Sequence, residues 1–172
     1  YMVTSEENFG AVISVLDHLK DKNTLKALSL SDAGIVNAFK DKFDQILSYG
    51  IDMIFCNDDE AIAFSSKDNL NQAIEFYKKQ PYMIAITKGA EGSTIVSDGK
   101  EHISKAEKID PIDTNGAGDM FAGGVLHKLS NGLDLEVSAK FGCFLASKGV
   151  ENFGPRLSDQ DYVNNKNLFE KT

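Results

Sequence analysis

Two short apolar runs constrain the fold of this chain more than any other feature. "IDMIFC" (residues 51–56) and "YMIAIT" (residues 82–87) are apolar almost without alternation. A strand with one wet face would alternate, so both faces of these strands need cover, as in a parallel sheet between helices. Helical patterns lie between and around them. The order β, α, β, α, β predicts an α/β fold: a mostly parallel, Rossmann-like sheet flanked by helices. Ligands of such sheets bind beyond the carboxyl ends of the strands.

The remaining pattern fits that scheme. Phe9, Val12, Ile13, Leu16 and Leu19 predict a helix over residues 6–20, and "TLKALSL" (24–30) a short strand. Ile35, Phe39, Phe43, Ile46 and Leu47 predict one helix across residues 32–50, closed by Gly50. Two more helices are expected at 58–64 and 68–79, before Pro81. "GSTIVSDGKEHIS" predicts a β-hairpin with Asp98-Gly99 as a type I′ turn. Val137, Phe141, Leu145 and Ala146 mark a late helix, "GPR" (154–156) a break, and Ser158 the start of a final helix with Asp161 in its first turn.

Bulk composition narrows the partners. The chain has 172 residues, enough for one domain, with 42% hydrophobic and 26% charged residues, as in a soluble globular protein. A net charge of −8 and a pI near 4.8 argue against nucleic acid and anionic membrane as partners. They leave room for a phosphate ligand held by backbone N–H groups and a metal. Cys56 and Cys143 form no metal-ligand spacing and no disulfide framework, which predicts a reduced, cytoplasmic setting. His18, His102 and His127 are scattered, without metal spacing.

Three clusters fall just after predicted strands. In "DTNGAGDMFAGGVLHKL" (113–129), glycines crowd the start of an amphipathic helix. The N–H groups of Gly116, Ala117 and Gly118 suit an anion. Asp119 beside them suits a general base that takes a proton from an acceptor hydroxyl. A plain cap reading, with Asn115 as N-cap and Asp119 complementing the helix dipole, needs no Gly-Ala-Gly run. In "CNDDEA", Asn57 and Glu60 lie three residues apart. Local sequence fits equally an oxygen pair for Mg²⁺, held through waters, and a capping box. In "TKGAEGS", Thr87, Gly89 and Gly92 read locally as a turn that needs no ligand, with Lys88 either near a phosphate or solvated.

D-T-x-G-A-G-D followed by a small-residue helix resembles the signature of the ribokinase-like (PfkB) family of carbohydrate and nucleoside kinases, with Asn115 in the free position. The resemblance implies a ribokinase fold, Asp119 as catalytic base, and Gly116, Ala117 and Gly118 as the anion hole. It implies ATP and Mg²⁺ as cofactors, with Asn57 and Glu60 organising the metal. It places Thr87, Lys88, Gly89, Gly92, Thr114 and Asn115 beside the nucleotide. Gly142 and Ala146 would leave room for adenine, and Asp113 would match one ligand of a monovalent cation such as K⁺.

The resemblance covers the order of the family's C-terminal half. Tyr1 opens the chain and a helix comes before any strand, so residues 1–172 are expected to be the C-terminal ATP-binding and catalytic portion of a kinase domain. The N-terminal half and its β lid, which carry most acceptor contacts, are expected to be missing. That portion by itself is expected to be inactive, and the protein a monomer or homodimer. "SLSDAG" (29–34) and "NFGPR" (152–156) resemble the adenosine-kinase-like members, so a nucleoside acceptor is expected ahead of a sugar. From another class, a non-catalytic nucleotide-binding module would gain nothing from Asp119, because a carboxylate repels a polyphosphate.

Overall fold

The computed structural model describes residues 1–170. Its elements are α1 (Glu6–Leu19), β1 (Ala27–Ser29), α2 (Ala33–Ala38), α3 (Lys40–Leu47), β2 (Met53–Asn57), α4 (Asp58–Ser65), α5 (Leu70–Tyr77), β3 (Met83–Thr87), β4 (Ser93–Ser97), β5 (Lys100–Ser104), α6 (Ala117–Ser130), α7 (Leu135–Val150) and α8 (Asp159–Glu170). The strands form one five-stranded sheet in the order β1-β2-β3-β4-β5. β1 and β2 run parallel, with Ala27 opposite Met53 and Ser29 opposite Phe55. β4 and β5 are joined by Asp98 and Gly99, at φ 50° and 74°, the type I′ hairpin that the sequence predicts. The sheet is therefore mixed, and helices flank it.

The chain divides into two compact units. The first comprises residues 1–86 and 96–100. Here Met53 and Ile54 of β2 and Ile84, Ala85 and Ile86 of β3 are wholly buried, as unalternating strands require. Val36, Phe43, Ile46, Phe64 and Ile74 pack into the same core. Phe43 meets Phe64 edge-on at 6.0 Å. The Tyr77 hydroxyl reaches that core and donates to the Ala61 carbonyl at 2.7 Å.

One expectation fails here. The single helix over 32–50 is two, α2 and α3, because the backbone leaves the helical region at Phe39 (φ −125°, ψ 32°). No Pro or Gly marks the break. Phe39 packs its ring against the core, and the Lys42 ammonium stands 5.3 Å from its centroid. Tertiary contact competes with helical geometry at that residue.

The second unit comprises residues 87–95 and the chain from Glu101 onward. Its centre is the pair α6 and α7, with Phe121, Val125, Ala139 and Leu145 buried. The helices touch where Gly124 meets Gly142. A Cβ on Gly142 would stand 2.7 Å from Val125 Cγ2 and 2.8 Å from the Phe121 carbonyl oxygen.

Candidate active site

The site is built on the turn that opens α6. Asp113 holds its shape. One carboxylate oxygen accepts the Asn115 N–H at 3.0 Å, and the other accepts the Gly154 N–H at 3.0 Å. The Asn115 bond first and the Gly154 bond second keep the Asp113 carboxyl below the usual carboxylate range. The Ile112 and Asp113 N–H groups both reach the Val150 carbonyl, at 2.8 and 3.3 Å.

Gly116 is the N-cap residue of α6, at φ 77°, and no side chain caps this helix. Asn115 therefore does not cap it, contrary to the plain cap reading. The start of α6 keeps its positive end free of a side-chain acceptor. Glycine is required at 116 twice over. Its φ is left-handed, and a Cβ would stand 2.5 Å from Pro155 Cβ. Asp119 lies in the first turn and is exposed.

Beside this turn lies a cavity of about 570 Å³, within the range of small-molecule sites. Thr87, Gly89, Ala90 and Gly92 form one wall, at the end of β3 and a 3₁₀ turn over Gly89–Glu91. Thr114, Ala117, Gly118 and Phe121 form a second, and Cys143, Ala146, Ser147 and Val150 of α7 a third. The irregular segment between β5 and α6 closes it with Ala106, Glu107, Lys108, Ile109 and Pro111. Gly92 runs against β5, where a Cβ would meet the Ser104 carbonyl. Cys143 Sγ stands 3.2 Å from Ser93 Oγ. Burial raises the Cys143 thiol, and Ser93 and the charge of Lys88 offset this in part.

The cavity thus brings together Thr87, Gly89, Gly92, Thr114, Ala117, Gly118 and Ala146 from the sequence reading. It does not include Gly142, whose missing side chain makes room for α6 rather than for a ligand. Lys88 is not in its wall. Sequence reasoning missed the 106–111 segment, which has no periodicity; Cys143, Ser147 and Val150 lie in the 141–150 stretch that the family resemblance places against the adenine.

Asn57 and Glu60 belong to the first unit and form a complete capping box at the start of α4. Glu60 N–H donates to Asn57 Oδ1 at 2.8 Å. The Asn57 N–H and side-chain amide donate back to the two Glu60 oxygens at 3.2 and 2.9 Å. The local signal was therefore a real cap. Glu60 is also buried, and burial raises its carboxyl above the usual range despite the Asn57 N–H bond. Asp32, Asp59 and Asp58 push the same way. Among the described residues no three His, Cys, Asp or Glu side chains converge as a metal cluster. No helix of the described residues is long and apolar enough to cross a membrane.

Comparison with known proteins agrees with this fold. Adenosine kinase of Saccharomyces cerevisiae is 32% identical over 158 residues, covering 84% of this chain and 46% of that protein. Ribokinase of Bacillus subtilis is 31% identical over 98 residues, covering 57% of this chain and 32% of that protein. The crystal structure of adenosine kinase from Sinorhizobium meliloti superimposes with a TM-score of 0.86 at 25% identity, over 94% of this chain and 50% of that one. The chain thus spans about half the length of the relatives it matches. Residues 4–161 match the pfkB family of carbohydrate kinases, and the chain belongs to that family.

Proposed function

We propose that this chain is the nucleotide-binding and catalytic portion of an ATP-dependent kinase that phosphorylates a hydroxymethyl group, with a nucleoside acceptor of the adenosine type. The observation that carries the proposal is the start of α6: a helix end without a side-chain cap, beside a 570 Å³ cavity, with Asp119 in the same turn. In this reading the cavity takes the adenine. The N–H groups of Gly116, Ala117 and Gly118 stabilise negative charge on the transferring phosphoryl group. The Asp119 carboxylate orients the acceptor hydroxyl and accepts its proton as the new P–O bond forms and the bond from the γ-phosphorus to the bridging oxygen breaks, with ADP as the leaving group.

Asn57 and Glu60 are the residues assigned to Mg²⁺, which supplies charge neutralisation to the phosphates when bound. Their chemistry fits: two oxygen-bearing side chains, one a buried carboxylate crowded by acidic neighbours that a cation would relieve. Asp113, held ionised by two N–H donors, is the residue assigned to a monovalent cation such as K⁺. The adenosine kinase of S. cerevisiae supports a nucleoside acceptor. The match to B. subtilis ribokinase keeps a sugar acceptor as the second reading.

The test is Asp119→Asn in the whole protein, with ADP release measured against adenosine, ribose and fructose, and Mg·ATP binding followed by calorimetry. The expected result is a fall in kcat of ~10²–10⁴-fold with ATP still bound. A loss below about tenfold, with chemistry shown to be rate-limiting, removes Asp119 as the base. Turnover with ribose or fructose but not adenosine selects the sugar reading.

A further inference from the structure

The turn that opens α6 is not held by its own local bonds alone. It leans on the loop between α7 and α8, through the Gly154 N–H on Asp113 and the contact of Pro155 with Gly116. What holds that loop is therefore part of the machinery. Phe153 does not anchor it, since the ring is 86% exposed. Leu157 secures one end by packing against Phe141 and Leu145. At the other end, the Asn152 side-chain amide donates to the Lys148 carbonyl at 3.3 Å and to Asp161 Oδ2 at 3.0 Å. The same Asp161 oxygen accepts the Ser158 hydroxyl at 2.5 Å and the Ser158 N–H at 3.3 Å.

We infer that Asn152 and Asp161 form a latch that positions the anion-binding turn at Gly116–Gly118 by fixing the Phe153–Arg156 loop behind it. Both are positioning residues, and neither touches substrate. The inference rests on the kinase reading for its kinetic consequence, though not for its structural one. Ser158 and Asp161 also make the reciprocal bonds of a capping box, since the Asp161 N–H donates to Ser158 Oγ at 3.1 Å. A cap explains that pair. It does not call for Asn152, which lies six residues before Ser158 and two before the glycine that grips Asp113. The two roles share one carboxylate and separate by mutation: Asn152→Ala opens the latch and leaves the cap, and Ser158→Ala does the reverse.

The first readout needs no nucleotide and no turnover. Amide hydrogen exchange is followed by NMR at Asn115, Gly154 and Met120, which are hydrogen-bonded within this assembly to Asp113 Oδ1, Asp113 Oδ2 and the Gly116 carbonyl. Asn152→Ala is expected to accelerate exchange at these three at least tenfold while the interior of α6 stays protected. Ser158→Ala is expected to accelerate exchange in α8 only. In the whole protein, Asn152→Ala is expected to lower kcat about tenfold with KM for ATP within about twofold, since small misplacements in a site are costly to rate. Should Asn152→Ala lose protection throughout, Asp161→Asn, which keeps an acceptor oxygen and the side-chain shape, takes its place with the same signature expected in smaller degree. Unchanged exchange at Asn115, Gly154 and Met120 overturns the latch. So does equal acceleration by Ser158→Ala, or faster exchange with kcat unchanged. A failure of the kinase reading shows separately, as retained kcat in Asp119→Asn.

Discussion

Glu60 carries two demands on one carboxyl. As the third residue of α4 it caps the helix, and as the buried half of the Asn57–Glu60 pair it is the proposed Mg²⁺ contact. Its folded pKa is raised from the usual 4.5, mainly by burial. The folded state therefore prefers the protonated acid. That preference stabilises fully below the unfolded value and is lost as pH rises through the raised folded value. Wild type is expected to gain stability relative to Glu60→Gln as pH falls from neutral to 4.5, with no further relative gain below. Urea midpoints across that range check it, and a constant difference sinks the assignment. With Mg·ATP in the whole protein, Glu60→Gln is expected to raise the Mg²⁺ concentration for half-maximal rate. If only the urea midpoint moves, Glu60 serves the cap alone.

At the scale of elements, the glycines of α6 and α7 fall into different trades. Gly142 is needed by packing: a Cβ would strike Val125 and the Phe121 carbonyl. Gly142→Ala is expected to cost ~1–3 kcal/mol by forcing the helices apart. Gly123 has nothing within 4 Å of its would-be Cβ, so Gly123→Ala is expected to stabilise α6 by ~0.5–1 kcal/mol. Gly118 has the same free space and lines the cavity. Gly118→Ala is expected to leave the unfolding midpoint unchanged or higher and, if the proposed anion site is right, to weaken ATP binding severalfold, because the methyl would stand where that proposal puts the phosphate. Calorimetry and denaturant titration on the three variants distinguish these cases. Unweakened binding in Gly118→Ala removes the backbone of that residue from the anion site.

For the molecule as a whole, two buried cysteines outside any disulfide provide one reporter in each compact unit: Cys56 in the first and Cys143 in the second. Both thiols are raised by burial, so the folded chain is expected to react slowly with thiol reagents and the unfolded chain at once. Cys143 lines the cavity. A ligand that binds only the closed form slows labelling through opening by a factor of about 1 + [L]/Kd. Saturating Mg·ATP is expected to slow Cys143 labelling in that proportion, with Cys56 as the internal reference. Labelling of Cys143 at an unchanged rate would exclude the cavity as the nucleotide site.

The sequence by itself determined what local stereochemistry and periodicity can determine. The unalternating strands 51–56 and 82–87, the amphipathic helices and the Asp98-Gly99 turn each depend on residues a few positions apart, whereas for Asn57 and Glu60 the sequence left cap and metal pair equal and the structure showed the cap. The Gly-Ala-Gly run before Asp119 was legible because its residue types stand together in the sequence, although Gly154 and Pro155 also shape the turn. Tertiary structure decided the rest. The break at Phe39 has no Pro or Gly to announce it and follows from where that ring packs. Gly142 looked like room for a ligand and is room for a helix, because only α6 could say what stands opposite. The 106–111 wall has no period to read. Asp113 grips Gly154 across 41 residues. A hydrogen bond at that separation leaves no pattern in either segment, since each needs only one group whose partner the fold supplies.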